Sequence, residues 1–225
     1  MPVRKIPLVT GSIYHIVNRG VASMSIFLDK THYQHSLETL LYYQKNPKVR
    51  FSYFARQQFL EKNKLKVKLQ KKLVKIIGYC LMSNHFHLLL EQSVDNGISD
   101  FMRKFSNSYT RYFNTKNKRI GPIFQGNFKS VLIETEELLL HVLRYIHLNP
   151  YSANIVANLN ELKHYQYSSL PEYFGLTKTD YCHKDTILSY FKSNRSFQSF
   201  VFDNSDSQRS LSKIKPLLLD HTPGV

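Results

Sequence analysis

The spacing of apolar residues divides the first half of the chain into strands and helices. Residues 12–18 are rich in β-branched and aromatic side chains, which favours a strand, and residues 29–44 carry apolar side chains at helical spacing. Two further apolar runs, 74–81 and 85–91, are separated only by residues 82–84. This pattern predicts a strand, a helix and then two neighbouring strands.

The second half continues the alternation of elements. Residues 97–116 have apolar side chains on one helical face, and residues 123–133 have the pattern of a strand. Another helix is predicted from Glu136 until Pro150 stops it, because proline disfavours helical geometry in the residue before it. The order of these elements predicts an α+β fold with an antiparallel sheet and helices on one face.

Residues 56–75 are dense in lysine, and their apolar residues follow neither the spacing of a strand nor that of a helix clearly. An exposed strand and a mixed helical segment therefore both remain open. Such a run is either a solvated face or a surface that follows the phosphates of a nucleic acid. Four of its lysines are candidate DNA contacts: Lys62, Lys64, Lys66 and Lys68.

The pattern weakens towards the end of the chain. We expect one domain over residues 1–175 and a partly helical C-terminal extension over residues 176–225, with a flexible end. Within this extension, residues 186–191 fit a short helix, and the polar residues 204–209 are expected to be flexible.

Charge indicates the class of partner. The chain has 31 Lys and Arg against 16 Asp and Glu, a net charge of +15, together with 15 Tyr and 15 Phe. Such an excess favours nucleic acid as partner, with a merely basic protein as the plain alternative. Two cysteines exclude a zinc knuckle and a disulfide framework. We find no signal-peptide pattern and no apolar run of about 18 residues, so we expect a cytoplasmic protein with no membrane partner.

The first candidate for chemistry is the pair His85 and His87 at the start of a predicted strand. Residues i and i+2 of a strand project from the same face, so both imidazoles can bind one ion, while Phe86 points into the core. A lone His-x-His pattern more often has no function. An apolar strand pair, however, rarely presents two polar rings without a reason, and metal coordination is one such reason.

The second candidate is the pair Tyr145 and Asn149, which lie one turn apart on the last predicted helix. Taken alone, the tyrosine is a packing residue and the asparagine a helix-end residue. Together with the histidines they gain a chemical meaning. A divalent ion held by His85, His87 and Asn149 would polarise a phosphate, and the phenol of Tyr145 could attack it.

At this point the sequence resembles a known family. Residues 79–91 are similar to the His-hydrophobic-His strand of the HUH single-strand DNA transposases, and most similar to the REP-associated tyrosine transposases. Further stretches agree in order, namely residues 14–20, 121–130, 144–150 and 165–170. The resemblance covers roughly residues 10–175, and its linked motifs make it specific.

The resemblance implies a ferredoxin-like sheet of the HUH endonuclease type, with the histidines on its central strand. By motif position, the catalytic tyrosine falls on Tyr145, and the metal ligands fall on His85, His87 and Asn149. It implies Mg²⁺ or Mn²⁺, a substrate of single-stranded DNA next to a hairpin, and a bacterial, nucleoid-associated location. A homodimer remains an open alternative. Residues 56–75 form an insertion relative to compact members.

Three functions follow as hypotheses. The first is a metal-dependent single-strand endonuclease and strand transferase that forms a 5′-phosphotyrosine, on hairpin-associated repeat DNA. The second is a non-catalytic, domesticated DNA-binding protein on the same fold. The third is a metal-independent phosphodiesterase with paired histidines, which ranks last because a histidine-triad pattern needs a histidine where Leu89 stands.

Other residues are weighed against these roles. Tyr109 and Tyr112 are rival nucleophiles, but their spacing favours packing or base stacking. Four dispersed cations are candidate phosphate contacts, with solvated surface charge as the alternative: Arg19, Arg111, Arg119 and Lys129.

Overall fold

The computed structural model describes residues 7–61, 71–203 and 205–211. The candidate contacts Lys62, Lys64, Lys66 and Lys68 therefore lie outside the described residues. Within those described ranges, no helix is both long and apolar enough to cross a membrane.

Four antiparallel strands form the central sheet: β1 Ile13–Arg19, β2 Val74–Met82, β3 His85–Gln92 and β4 Lys129–Ile133. Their spatial order is β2-β3-β1-β4, so β3 and β1 are the central strands. β2 and β3 form a hairpin, and β1 pairs with β3 on one side and β4 on the other. The predicted α+β class, with its ferredoxin-like antiparallel sheet, is confirmed.

The helices follow the strands in the predicted order, except that a second helix is added before β2 and shorter helices are added after residue 152. They are α1 Lys30–Tyr43, α2 Phe51–Glu61, α3 Gly97–Lys116, α4 Glu136–Ser152, α5 Leu159–Lys163, α6 Leu170–Tyr173, α7 Asp185–Leu188, α8 Asn194–Phe202 and α9 Ser205–Leu211. The first begins where Asp29 accepts hydrogen bonds from two backbone N–H groups, and the fourth where Thr135 does the same for one.

The helices cover both faces of the sheet, which corrects the expectation of helices on one face only. Phe86 and His87 are neighbours on β3 and therefore point to opposite faces. The ring of Phe86 packs against Phe105 of α3, with centroids 5.5 Å apart, while His87 faces Tyr145 of α4. Both faces of β2 and β3 are almost entirely buried, so each face needs a helical layer of its own.

Two element boundaries differ from the predictions for backbone reasons. The strand predicted over residues 123–133 is limited to β4, since Gly126 has a φ of +66° and Phe124 forms only an isolated bridge with Gly20. α4 does not stop at Pro150. The missing N–H costs one hydrogen bond close to the helix end, and the backbone N–H of Ala153 closes the last turn by donating to the carbonyl of Asn149.

The polar segment 204–209, expected to be flexible, is helical from Ser205 onward as α9. This helix lies against α4, where the hydroxyl of Tyr151 donates to Asp206 at 3.1 Å. Because this contact is polar, the spacing of apolar residues in the sequence does not predict it.

α4 packs closely on the sheet at Gly78 of β2, where a Cβ would lie 2.5 Å from Cδ1 of the buried Leu143. We expect Gly78→Ala to destabilise the fold by about 1–3 kcal/mol, because overpacking forces side chains out of their preferred rotamers. In the double variant Gly78→Ala/Leu143→Ala, the added methyl enters space that the leucine has left. Urea unfolding should therefore give a combined loss smaller than the sum of the two single losses. Additive losses would contradict the close approach.

Candidate active site

The histidine pair lies on one face of central strand β3. The rings of His85 and His87 have centroids 5.0 Å apart, and His87 is completely buried. A third histidine, His15 of β1, lies on the same face, because Val17 pairs directly with His87 and strand side chains alternate. Nε2 of His15 is 3.0 Å from Nδ1 of His87, and the two rings are stacked.

His15 was not among the predicted site residues, although it falls within the stretch 14–20 that carries part of the family resemblance. Alternation along β1 predicts which face it occupies relative to Val17. Its position beside His87, however, depends on the register between β1 and β3, and the sequence contains no turn that would fix this register, since the two strands are far apart in the chain.

α4 brings Tyr145 to the histidines. Its half-buried ring meets His87 edge-on with centroids 5.6 Å apart and His15 with centroids 6.2 Å apart. Asn149 lies one turn later, and its Nδ2 donates to the carbonyl of Tyr145 at 3.0 Å. The same carbonyl accepts a hydrogen bond from Nε2 of Gln208 of α9 at 3.1 Å. The turn of α4 that carries the tyrosine is thus held from both its own helix and the C-terminal extension.

The hydrogen bonds of the predicted ligands suit metal binding. Nδ1 of His85 lies 2.6 Å from Oδ1 of Asn84, which can only accept, so Nδ1 is protonated and Nε2 of the neutral ring can act as a ligand. In the same way, Nδ1 of His87 can donate to His15, which leaves its Nε2 as the ligand atom. Asn149 uses Nδ2 within its own helix, which leaves Oδ1 as its ligand atom.

The amide oxygen of Asn149 suits Mg²⁺ or Mn²⁺, whereas the imidazoles of His85 and His87 suit Zn²⁺ as well, so these donors do not by themselves select one ion. In the described part of the chain, no group of three or more His, Cys, Asp or Glu side chains could hold a metal ion. A site here therefore depends on the amide of Asn149, and the ligand roles of His85, His87 and Asn149 stay predictions.

The predicted phosphate contacts fall on two different faces. Arg19 pairs with His85, and the exposed Lys129 of β4 pairs with Val17, so both project from the histidine face. Arg111 is exposed on α3, and Arg119 follows α3 and donates to the carbonyl of Pro122 at 2.9 Å. The sheet separates the helix that carries Arg111 from Tyr145.

The rival tyrosines also belong to the α3 layer. Tyr109 is fully buried, its hydroxyl donates to the carbonyl of Ile26 at 2.6 Å, and burial raises its pKa far above the usual range. Tyr112 stacks on His35 of α1 with ring centroids 3.6 Å apart. Both have packing roles on the face opposite the histidines, and the catalytic role of Tyr145 stays a prediction.

A buried histidine ties α4 to the edge of the sheet. Nε2 of His147 lies 2.8 Å from Oγ of Ser169, which in turn accepts a hydrogen bond from the backbone N–H of Tyr79 in β2 at 3.0 Å. Ser169 belongs to the stretch 165–170 that sequence comparison singled out. Complete burial lowers the pKa of His147 to about 3, so the ring stays neutral in the folded protein.

Comparison with known proteins agrees with this fold. Residues 9–149 match the model of the IS200-like transposase family, which is well over half of the chain. The protein belongs to this family, and a transposase role follows from that membership.

Among solved structures, the chain is similar to the REP-associated tyrosine transposase bound to a REP hairpin, with a TM-score of 0.56 and 13% sequence identity. The match covers 82% of this chain and 98% of the other. At this identity the likeness shows the shared fold. No curated protein matches the chain.

The burial of His147 predicts a pH-dependent stability. The unfolded state takes up a proton near pH 6.5, while the folded state does not until about pH 3, so stability falls as the pH falls below 6.5. Between pH 7 and pH 5 this site alone should cost about 2 kcal/mol. In His147→Gln, the free energy of unfolding measured with urea should therefore fall by about 2 kcal/mol less between pH 7 and pH 5 than it does in wild type.

The matched control is His164→Gln, which removes an exposed histidine and should keep the wild-type pH dependence. An unchanged pH dependence in His147→Gln would show that His147 is not held neutral by burial.

Proposed function

We propose that the protein is a metal-dependent single-strand DNA endonuclease and strand transferase that acts through a 5′-phosphotyrosine at Tyr145. The observation that carries this proposal is the edge-on placement of Tyr145 against His87, with ring centroids 5.6 Å apart, on the face that also holds His85 and His15. Membership in the IS200-like transposase family and the net charge of +15 support it.

The proposed reaction is a transesterification. The hydroxyl oxygen of Tyr145 attacks the phosphorus, the bond from phosphorus to the 3′-oxygen breaks, and a 5′-phosphotyrosyl link forms beside a free 3′-OH. The phenol gives up one proton and the departing 3′-oxygen takes one up. Because one phosphodiester replaces another, an incoming 3′-OH can reverse the step and join a new strand.

The metal site of the proposal consists of His85, His87 and Asn149. A bound Mg²⁺ or Mn²⁺ would supply Lewis-acid polarisation of the phosphate. Asn84 and His15 would orient the two imidazoles through their Nδ1 atoms. The hydrogen bonds from Asn149 and Gln208 to the carbonyl of Tyr145 would hold this turn of α4 in place beside the histidines.

The proposed substrate is single-stranded DNA beside a hairpin. The similar solved structure is bound to a REP hairpin. On this chain, Arg19 and Lys129 lie on the histidine face, and Val131 of β4, on the same face opposite His15, is 39% exposed. This accessible part of the face gives a strand a route to Tyr145, with cations beside it for the phosphates.

Tyr145→Phe should abolish covalent capture of DNA. We would incubate the protein with 3′-labelled single-stranded hairpin oligonucleotides from DNA flanking its gene, with Mg²⁺ or Mn²⁺, and separate the products on a denaturing protein gel. Wild type should give a labelled protein band and Tyr145→Phe none, with DNA binding retained. Tyr112→Phe, which removes a hydroxyl from the opposite face, should capture DNA normally.

A band that persists in Tyr145→Phe would place the nucleophile elsewhere. Tight binding by wild type with no band on any hairpin would favour the non-catalytic DNA-binding protein.

Removal of metal should have the same effect as removal of the hydroxyl. EDTA should eliminate the labelled band, and added Mg²⁺ or Mn²⁺ should restore it. Asn149→Ala should lower capture by at least about tenfold, in the range seen when a metal site loses a supporting group. Full capture in EDTA would contradict the metal, and full cleavage in EDTA without capture would revive the paired-histidine mechanism.

A further inference from the structure

α4 carries a buried histidine that the proposed reaction does not use. His147 lies between Tyr145 and Asn149 in the chain and is completely buried. Residues two apart on an α-helix are separated by about 200° around its axis, whereas residues four apart share a face. His147 therefore projects from a different side of α4 than Tyr145 and Asn149 do, and it meets Ser169 at the edge of the sheet.

His147 has a single directional contact. Its Nε2 lies 2.8 Å from Oγ of Ser169, and its Nδ1 is buried without a hydrogen-bond partner in the described part of the chain. The rings of Tyr173 and Phe197 pack around it, with centroids 5.2 Å and 6.4 Å away. A polar ring in such surroundings costs free energy that an apolar side chain would not. Stability alone does not explain a histidine here, whereas a need for one directional bond does.

Ser169 is a rigid partner because it is bonded to β2. Its Oγ accepts a hydrogen bond from the backbone N–H of Tyr79 at 3.0 Å and lies 3.3 Å from the carbonyl of the same residue. That carbonyl also accepts the backbone N–H of Ser169 at 3.0 Å. Since the hydroxyl can donate to this carbonyl, we assign the donor role in the bond to Oγ to Nε2 of His147.

The segment that holds Ser169 runs along the outer edge of β2. The hydroxyl of Tyr165 donates to the carbonyl of Leu81 at 2.8 Å, and the hydroxyl of Tyr173 donates to the carbonyl of Ile77 at 2.8 Å. Ser169 lies midway between these two tyrosines in the chain. The stretch 165–170, which carries part of the family resemblance, thus attaches α4 to the sheet through a buried side-chain bond.

We propose that His147 and Ser169 are positioning residues for strand cleavage, because their hydrogen bond fixes the rotation of α4 about its axis and thereby aims the hydroxyl of Tyr145. The inference rests on the proposed function in taking Tyr145 as the nucleophile. The phenol oxygen lies far from the helix axis, so a rotation of about 10° displaces it by roughly 1 Å. A displacement of about 1 Å at a reacting group can lower a rate by about a hundredfold.

Three substitutions separate positioning from stability. His147→Leu removes the hydrogen bond and keeps an apolar filling. His147→Gln keeps a donor that can reach Ser169. Tyr165→Phe is the matched control, since it removes another buried hydrogen bond between the same segment and β2. The rate of covalent capture is measured in the full-length protein with 3′-labelled hairpin oligonucleotides and Mg²⁺ or Mn²⁺, at saturating and at limiting DNA.

Two companion measurements report binding and folding. Fluorescence anisotropy in a Tyr145→Phe background gives the hairpin affinity without cleavage, and thermal unfolding gives the stability. His147→Leu should lower the capture rate at saturating DNA by about tenfold to about a hundredfold. Its hairpin affinity should be unchanged, and it should lose no more thermal stability than Tyr165→Phe.

The other variants should keep the reaction. His147→Gln should retain most of the capture rate, and Tyr165→Phe should capture DNA at the wild-type rate under conditions where it is folded. In the double variant His147→Leu/Ser169→Ala, the loss of capture rate should equal that of His147→Leu alone, because both substitutions remove the same bond.

The orientation of position 145 can also be measured without DNA. The chain contains no tryptophan, so Tyr145→Trp introduces a single one that can be excited selectively. Quenching of its fluorescence by acrylamide should change when His147→Leu is added. It should stay the same when His147→Gln or Tyr165→Phe is added.

Capture at the wild-type rate in His147→Leu, or an equal loss of capture in Tyr165→Phe, would overturn the inference. Failure of the proposed function gives a different pattern. If wild type captures no DNA while quenching changes only with His147→Leu, the pair still fixes the rotation of α4 and the nuclease proposal falls. If wild type captures no DNA and quenching does not change, both fall.

Discussion

The antiparallel pairing of β1 with β3 is the constraint on which the candidate site depends. Alternation along β3 puts His85 and His87 on one face, and the β1 register then adds His15 beside His87. A shift of this register by one residue would turn the side chain of His15 to the other face and replace it with an apolar neighbour. α4 can bring Tyr145 to the histidines because Gly78 allows its close approach to β2.

The sheet divides the molecule into two faces with different chemistry. One face holds the histidines and Tyr145 under α4, and the other is covered by α3, whose inner side is apolar and whose outer side is basic. The C-terminal extension contributes to the first face, since Gln208 of α9 donates to the carbonyl of Tyr145.

Much of this fold could be predicted from the sequence. β1, the β2–β3 hairpin and α3 have strong periodicity and agree with the predicted ranges to within one or two residues. The shared face of the two histidines follows from period-two alternation. The role of His15 could not be predicted, because register between distant strands is a tertiary property, and neither could α9, because its contacts are polar. Arg111 and Arg119 were singled out by charge alone, which does not indicate on which face a residue lies.

In the proposed mechanism, Tyr145 is the residue that becomes covalently linked to DNA. Peptide mapping tests it most directly: captured complexes are digested with nuclease and trypsin, and the nucleotide adduct is located by fragmentation mass spectrometry. Cleavage after Arg144 and Lys163 releases one peptide that starts at Tyr145 and also contains Tyr151. We expect a 5′-phosphonucleotide on Tyr145. An adduct on Tyr151, or on a tyrosine of α3, would contradict it.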